Sequence, residues 1–336
     1  MTPASRLLAA TTLALLLAGC SAPPPGNAPL TTEPAASLWQ PGEVKLDPEP
    51  AVPQELLPGR KPDRRLVVGI SLMNRAHQFY KDLEAAMREE AARWNVEVRV
   101  QSADFKLEVQ RQQVQDFLAQ KVDALVICPV DTKAVGTSVA DANRAGVPVF
   151  TADVAAASGD VVCHIASNNR QGGQLIGEHL ATKILHGEGE IVILDYPIVT
   201  SVQHRVKGFE DAIRKYPGIK IVEKPAVQVA EKTAAFPFAQ NAVQAHPDIK
   251  AIFGINDDTA LAAAQAVKAA GKRIFVVGFD GTPEAAAAMK QGSPLQADAV
   301  QYPRVIGRAT LQAMVRHANG ESVPREVPIP CGLVAR

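Results

Sequence analysis

Hydrophobic and polar positions follow two alternating patterns along this chain. Short apolar runs rich in β-branched residues predict buried strands, and the segments between them carry apolar residues at helical spacing. The first series predicts strands at 66–70, 96–100, 124–127 and 147–150, and helices at 79–95, 107–120 and 133–145. Strands that alternate with helices are typical of parallel sheets with helical crossovers.

A second series begins near residue 161 and repeats the alternation. It predicts strands at 161–165, 191–194, 219–222, 251–253, 274–277 and 295–300, and helices at 168–185, 201–215, 231–245, 258–270, 283–290 and 303–318. The stretch 125–132 is similar to 251–259, since each is an apolar strand followed by a polar loop and a helix start. Together the two series predict an α/β fold of two doubly wound parallel-sheet lobes with a cleft between them.

Asp280 lies in a tight loop directly after one of these strands. Apolar residues 274–277 are followed by two glycines and by Thr282-Pro283, which is the pattern of a capped helix start. In open parallel sheets, ligands bind at the carboxyl ends of the strands. The Asp280 carboxylate is either a hydrogen-bond acceptor for a ligand or a local turn former, and the rest of the chain favours the ligand.

The first 20 residues have the features of an export signal. Arg6 supplies a positive start, residues 7–18 form an apolar stretch too short to span a membrane, and Leu17-Ala18-Gly19-Cys20 resembles a bacterial lipobox. A lipobox implies cleavage before Cys20 and acylation of that residue, which would anchor the protein stably. An ordinary signal peptide that happens to contain a cysteine is the alternative.

Residues 21–64 contain eleven of the chain's 25 prolines and keep no apolar periodicity. This composition predicts a semi-rigid tether in largely polyproline geometry. At about 3.1 Å per residue, such a tether could reach on the order of 100 Å and hold a folded domain away from a membrane. A leader with no role is the alternative.

Composition and the missing motifs narrow the classes of function. The chain has 336 residues, 47% of them hydrophobic, and a formal net charge of zero, so we expect no surface for nucleic acid. No apolar run reaches about 18 residues, so we expect no conventional membrane span. Histidines at metal-ligand spacing, a G-x-G-x-x-G loop and a nucleophile–histidine–acid pattern are all missing, so we expect no metal and no cofactor.

Cys128, Cys163 and Cys331 are expected to be buried free thiols, although export leaves a disulfide open.

A set of motifs stands in an order that resembles one family. The motifs are Ser71 with His77-Gln78-Phe79-Tyr80, Thr151-Ala152-Asp153, His164-Ile165-Ala166-Ser167-Asn168-Asn169 with Gly172-Gly173, Ser201 with Arg205-Val206-Lys207-Gly208-Phe209, His246-Pro247-Asp248, Asn256-Asp257, Val277-Gly278-Phe279-Asp280-Gly281-Thr282-Pro283 and Gln301-Tyr302-Pro303. From Leu66 to Pro330, the chain resembles the type I periplasmic binding proteins, specifically the ribose-binding-protein family of sugar importers.

The resemblance implies a domain organisation and a sugar site. The lobes would be 65–167 plus 302–330 and 168–301 plus 331–336, with hinges near 167–168, 301–302 and 330–331. The ligand-binding residues would be His77, Phe79, Tyr80, Asp153, Arg205, Asn256, Asp280 and Gln301. Carboxylates would accept hydrogen bonds from hydroxyls, the guanidinium would donate, the amides would do both, and the rings would stack on the sugar. His77 could equally be a surface loop residue.

Two departures from the family's pattern bear on the ligand. Val154 stands where sugar binders often have an arginine, and the loop 226–230 lacks their aromatic ring. Arg205 alone would then balance Asp153 and Asp280. We therefore expect ribose to bind poorly and a neutral polyol, a larger sugar or an amino sugar to bind better.

The resemblance also implies partners and a location. An extracytoplasmic, lipid-anchored monomer would deliver its ligand to an ABC permease. Two other classes stay open: a sensing module for a receptor kinase or chemoreceptor, and an enzyme acting on a sugar, which two carboxylates in one cleft would suggest. A gene regulator is excluded because the chain has an export signal and no helix-turn-helix before Leu66.

Overall fold

The computed structural model describes residues 38–336. The predicted signal peptide at 1–20, the predicted lipidation site Cys20 and residues 21–37 of the predicted tether lie outside the described residues.

The described residues form strands and helices in alternation. The strands are β1 (Lys45–Leu46), β2 (Leu66–Leu72), β3 (Val96–Ser102), β4 (Ala124–Ile127), β5 (Val149–Ala152), β6 (Cys163–Ser167), β7 (Glu188–Leu194), β8 (Gly218–Glu223), β9 (Ile249–Gly254), β10 (Phe275–Asp280), β11 (Leu295–Val300), β12 (Glu326–Ile329) and β13 (Gly332–Ala335). The helices are α1 (Gln78–Arg93), α2 (Leu107–Ala119), α3 (Gly136–Arg144), α4 (Asn169–His179), α5 (Thr200–Ile213), α6 (Lys232–Ala245), α7 (Asp257–Ala269), α8 (Pro283–Lys290) and α9 (Pro303–Ala318). A π-helix at Leu180–Ile184 continues α4, and a 3-10 helix spans Gln54–Leu56.

The strands form two sheets, one in each lobe. The amino-terminal sheet has the order β12-β6-β5-β4-β2-β3, and all its neighbours are parallel. The carboxy-terminal sheet has the order β1-β13-β11-β10-β9-β7-β8, with antiparallel pairing only at β13 and β1. The strand order reverses between β2 and β4 in one sheet and between β7 and β9 in the other, and doubly wound sheets bind ligands at such reversals. The predicted fold class is confirmed.

After β2, the chain passes between the sheets at three places. These crossings follow β6, which ends at Ser167, β11, which ends at Val300, and β12, which ends at Ile329. The helix α9 returns after the second crossing to pack on α1, β5 and β6 of the amino-terminal lobe. Three connections lying side by side are the arrangement that allows one lobe to rotate against the other.

Close backbone contact joins α4 and α5 in the carboxy-terminal lobe. A Cβ on Gly173 would lie 2.0 Å from the Arg205 carbonyl oxygen, and a Cβ on Gly208 would lie 2.0 Å from that of Arg170. Both positions therefore require glycine, and 172–173 serves helix packing rather than a phosphate loop. The contact brings the start of α4 beside the Arg205 side chain.

Residues 38–64, which we call the strap, pack against both lobes, whereas the sequence predicted a semi-rigid tether over 21–64 that would hold the folded domain away from a membrane. Trp39 is 7% exposed and packs edge to face on Phe275, with ring centroids 5.8 Å apart, and Lys45–Leu46 pairs with β13. The strap then crosses to the amino-terminal lobe, where Leu56 is fully buried and the Arg316 guanidinium donates to the Leu57 carbonyl over 2.9 Å. Burial of the Trp39 and Leu56 side chains therefore stabilises the packed strap, although its many prolines favour an extended, solvent-exposed chain.

At its midpoint, the strap touches the crossings between the lobes. Asp47 exchanges hydrogen bonds with the Leu333 backbone at 2.9 and 3.0 Å, and the Tyr302 hydroxyl donates to the Asp47 carbonyl over 3.3 Å. Glu49 forms an ion pair with Arg308 of α9. The strap is thus a fourth connection between the lobes: it continues into β2 of one lobe and is held on the other by strand pairing and hydrogen bonds. Within residues 38–336, no helix is long and apolar enough to cross a membrane.

Candidate ligand-binding site

A cavity lies between the carboxyl ends of the two sheets. Its empty volume is about 440 Å³, including the part open to solvent. The lining residues are Met73, His77, Phe79, Tyr80, Phe105, Asp153, Tyr196, Val199, Ser201, Val202, Arg205, Ala230, Ile255, Asn256, Asp280 and Gln301. All eight residues predicted from the sequence therefore surround one cavity.

Arg205 dominates the wall that the carboxy-terminal lobe supplies. Its side chain is 4% exposed, and its guanidinium lies 3.6 Å from the centre of the Phe279 ring. The Asn169 side-chain oxygen accepts from Nη2 over 2.9 Å and from Nε over 3.3 Å, and the Ile255 carbonyl accepts from Nη1. These contacts fix the cation before any ligand arrives, and burial lowers the pKa of Arg205 while the nearby carboxylates oppose that shift.

Asp280 lies beside Arg205, with 3.6 Å between Oδ1 and Nη1. The Gln301 amide donates to the same oxygen over 2.6 Å. Asp280 has a φ of 122°, a conformation rarely adopted by residues other than glycine, so the turn after β10 holds it under strain. Burial raises the pKa of Asp280 well above its ordinary value, although Arg205 opposes the shift.

The Asn256 side chain is largely engaged within its own lobe. Its oxygen accepts from the Thr259 N–H over 2.9 Å and caps α7, and its amide donates to the Ala230 carbonyl over 3.0 Å. One N–H of the amide remains for a ligand. The Gln301 side-chain oxygen is buried without a hydrogen-bond partner, so it is a second group on this wall with unused capacity.

The wall of the amino-terminal lobe is mostly aromatic. Phe79 and Tyr80 meet edge to face with centroids 5.1 Å apart, and Phe105 meets the His77 ring in the same way at 5.3 Å. The Tyr80 hydroxyl donates to Asp153 Oδ2 over 2.6 Å. Burial raises the pKa of Asp153, and the hydrogen bond from Tyr80 opposes that shift.

His77 is a lining residue of the cavity, and its side chain is only 10% exposed, so the surface alternative is wrong. Its Nε2 lies 3.4 Å from Asp258 Oδ2 of the other lobe but makes no hydrogen bond. Burial lowers the pKa of His77, against the attraction of Asp258 and Glu231, so a neutral ring is favoured. Val154 is fully buried and does not line the cavity, whereas Ala230 of the ring-free loop does.

The polar groups behind the two walls differ in kind. Behind the amino-terminal wall, Ser71 donates to Gln113 over 2.7 Å, and Gln110 donates to the Cys128 carbonyl over 2.9 Å and accepts from the Val130 N–H over 2.9 Å. Behind the carboxy-terminal wall lie Asp257 and Asp298, which are 4% and 0% exposed. Burial raises the pKa of Asp257 to about 6 and that of Asp298 well above its ordinary value.

The chemistry of the cavity is that of a binding site with fixed polar groups. Within residues 38–336, no group of three or more His, Cys, Asp or Glu side chains is placed to hold a metal ion. Cys128, Cys163 and Cys331 are free buried thiols, and burial raises the pKa of each. His164 lies in β6, with Nδ1 2.9 Å from the Thr151 hydroxyl, and burial lowers its pKa to about 4.

Several lining residues were not predicted from the sequence. Met73, Tyr196 and Phe105 lie one, two and three residues after the ends of β2, β7 and β3. The carboxyl end of a parallel strand, which predicted Asp280 as a ligand-binding residue, is also the signal that marks these three. Asn169 does not line the cavity but holds Arg205, and only the contact between α4 and α5 reveals that role.

Comparisons with known proteins agree with this geometry. The model of the family described as "Periplasmic binding protein domain" matches residues 68–322. The ribose import binding protein RbsB of Salmonella typhimurium is 34% identical over 268 residues, which cover 80% of this chain and 89% of that protein.

Two solved structures are also similar. An ABC transporter solute-binding protein from Mycobacterium smegmatis with bound glycerol has 33% identity and a TM-score of 0.76 and covers 80% of this chain and 94% of its own. One from Bacillus halodurans with bound myo-inositol has 30% identity and a TM-score of 0.75, with coverages of 81% and 95%.

Proposed function

This chain belongs to the periplasmic binding protein domain family, and from that premise we propose that it captures a sugar or polyol between its lobes and delivers it to an ABC-type permease. One observation carries the proposal: a single cavity has an aromatic wall on one lobe and a wall of fixed polar groups on the other. Sugars and polyols have apolar C–H surfaces and hydroxyls that both donate and accept. The aromatic wall would therefore pack on the C–H surface of such a ligand, and the polar wall would hydrogen-bond to its hydroxyls.

The polar groups of the cavity favour a ligand rich in hydrogen-bond donors. Asp153, Asp280 and the free Gln301 oxygen are acceptors, whereas Arg205 is the single cation among the lining residues. A polyol or an amino sugar would supply the missing donors, and an ammonium group would also offset the second carboxylate. The glycerol and myo-inositol found in similar proteins are consistent with this class.

A thermal-shift panel tests both the function and the ligand class. The compounds are glycerol, xylitol, myo-inositol, D-allose, D-ribose and glucosamine, followed by calorimetry on each that shifts the melting temperature. A compound at 100 times its Kd should add about 2.7 kcal/mol of stability. A panel without any shift contradicts the proposed function, whereas a shift by ribose alone contradicts only the ligand class.

The similar proteins are an import binding protein and transporter solute-binding proteins, which supports delivery to a permease over the sensing role. Family members bind rather than convert their ligands, which supports a binding role without turnover. Deleting the gene should abolish uptake of the labelled compound that binds. Chromatography after incubation with the protein should return that compound unchanged.

Family membership implies a location outside the cytoplasm, and we propose that acylated Cys20 holds the protein at the membrane. The lipobox at 17–20 and the short apolar stretch before it support this anchor. Cys20→Ala should leave an unacylated precursor that is released from membranes by a high-salt wash. A variant that stays wholly with the washed membranes contradicts the anchor.

A further inference from the structure

Two loops of the amino-terminal lobe meet the first residue of α5 in the other lobe. Thr200 donates its backbone N–H to the Thr132 hydroxyl oxygen over 2.9 Å. The Thr132 N–H donates to the Ile198 carbonyl over 3.2 Å, and the Ala155 N–H donates to the Thr200 hydroxyl oxygen over 3.0 Å. The Thr132 hydroxyl also donates to the Thr200 hydroxyl oxygen over 3.4 Å, so four hydrogen bonds cross from lobe to lobe at this point.

The contact supplies α5 with a cap that its own lobe does not provide. The first N–H groups of any helix lack partners within the helix, and a serine, threonine, aspartate or asparagine just before the helix normally satisfies one. The residue before α5 is Val199, whose side chain makes no capping hydrogen bond. The hydroxyl of Thr132 takes that place from across the interface.

The loop after β4 holds Thr132 ready for this contact. Asp131 Oδ1 accepts from the N–H groups of Lys133 and Ala134 over 2.7 and 2.8 Å, which fixes the turn on either side of Thr132. The Thr132 carbonyl accepts from the Ala157 N–H over 2.8 Å, and Thr132 itself is 5% exposed. A hydroxyl held in this way pays little conformational entropy when the lobes meet.

Neither threonine lines the cavity, although Val199 and Ser201 on either side of Thr200 do. The hydrogen bonds from Thr132 to Thr200 and Ile198 exist only while the lobes are together, and they lie outside the ligand cavity. We propose that Thr132 is a positioning residue for ligand capture, because its hydroxyl caps α5 of the opposite lobe and so favours the closed arrangement. The inference rests on the proposed function, since closure matters only if a ligand is captured.

The other contact across the cavity is weaker in geometry. His77 Nε2 and Asp258 Oδ2 are 3.4 Å apart, and the nitrogen makes no hydrogen bond. Asp258 also lies 3.8 Å from Lys232, which pairs with Glu284 in its own lobe. Thr132 is therefore the residue whose removal should tell most about closure.

The test compares two substitutions of one side chain. Thr132→Val keeps the shape and removes the hydroxyl, whereas Thr132→Ser keeps the hydroxyl. Calorimetry and stopped-flow kinetics would use whichever of myo-inositol, xylitol, D-allose or D-ribose binds the wild type most tightly. Thr132→Val should weaken affinity about five- to tenfold, mainly through faster dissociation, and Thr132→Ser should stay within about twofold of the wild type. Thr182→Val, which removes a hydroxyl bonded only within the carboxy-terminal lobe, is the control.

Hydrogen exchange gives a second readout that needs no ligand. The peptide that contains Thr200 should exchange faster in Thr132→Val than in the wild type or Thr132→Ser, because its N–H loses the cap. Unchanged exchange, or affinity within twofold of the wild type in Thr132→Val, overturns the inference. If no compound binds the wild type, the proposed function fails, and the exchange comparison alone decides whether Thr132 caps α5.

Discussion

The two walls of the cavity rest on different polar chemistry. Behind the amino-terminal wall, neutral side chains from Ser71, Gln110 and Gln113 bond to one another and to the backbone. Behind the carboxy-terminal wall, the carboxylates of Asp257 and Asp298 are buried below Asp280, and both oxygens of Asp298 lack hydrogen-bond partners. The support behind the first wall is therefore made of neutral side chains, whereas the support behind the second carries buried carboxyls that can bind protons.

The neutral and the charged support contribute to ligand binding in different ways. A neutral, fully bonded support holds aromatic rings in place and has no charge to lose. A charged support makes stronger hydrogen bonds to a ligand, but each buried carboxylate must be paired or protonated. We therefore expect substitutions on the charged wall to cost more and to depend more on pH.

The largest effect is expected from Arg205→Ala. The change strands Asp280 and Asn169 in a buried site and removes the single cation of the lining, so affinity for the best-binding panel compound should fall by about 3–5 kcal/mol, or more than 100-fold. Arg205→Lys should rescue little, because an ammonium cannot reproduce the planar fork. Calorimetry checks the loss, and Arg214→Ala at the exposed end of α5 is the control. A near-normal affinity would remove Arg205 from the site.

Asp280→Ala should follow, with a loss of about 2–3 kcal/mol, or roughly 30- to 100-fold. The variant leaves the Gln301 amide without this acceptor and removes the carboxylate that lies 3.6 Å from Arg205. The matched change on the other wall, Asp153→Ala, should cost less, since Tyr80 already engages one of the Asp153 oxygens. Circular dichroism guards against misfolding. Equal losses of affinity in Asp153→Ala and Asp280→Ala would contradict the expected difference between the two walls.

Asp298→Asn should change how stability depends on pH. A carboxyl with a raised folded pKa contributes stability that is present below its unfolded pKa near 4 and is lost as pH rises through the folded value. Replacing Asp298 should therefore stabilise the protein relative to the wild type, and by more at pH 8 than at pH 5. His164, whose folded pKa is about 4, acts with the opposite sign below pH 6.5, so the difference between the proteins is the quantity to measure.

Chemical denaturation at both pH values checks this difference. Asp248→Asn, which removes an exposed carboxylate of the same lobe, should leave the pH dependence unchanged. A wild type and an Asp298→Asn variant with parallel pH profiles would show that the buried carboxylates do not govern the stability of the charged wall.

The smallest effect is expected from Tyr80→Phe on the aromatic wall. Its hydroxyl lowers the pKa of Asp153, so its loss should raise that pKa and let Asp153 take up a proton more readily. Affinity should fall about two- to fivefold at pH 7, and more steeply towards pH 5 than in the wild type. Calorimetry at the two pH values measures the change, with Tyr216→Phe as a distant control. A loss as large as that of Asp280→Ala would mean that the aromatic wall binds chiefly through this hydroxyl.

Much of the fold could be predicted because local signals coincide with the elements. The predicted bounds of helix 283–290 match α8, where Thr282 caps the helix and a proline opens it. The short strands β1, β12 and β13 were missed because two to four residues carry too little pattern, and β12 contains Pro328, which argues against a strand.

The site was predictable only as far as strand ends determine it. Asp153 and Asn256 follow strands and Asp280 ends one, and parallel sheets bring such positions to one edge. The proximity of Asp298 to Asp257 and the position of Thr132 opposite α5 depend on contacts between distant segments, which no local pattern records.

The strap determines where a membrane anchor would pull on this molecule. Its first anchored side chain, Trp39, packs on the carboxy-terminal lobe, although the chain continues from the strap into β2 of the other lobe. Residues 20–39, at ~3.3–3.6 Å each, can span at most about 70 Å, so an acylated Cys20 would keep the protein closer to the membrane than a tether that reached to residue 64. The anchor would hold the carboxy-terminal lobe near the membrane. The amino-terminal lobe would then be the one that rotates when the cavity opens and closes.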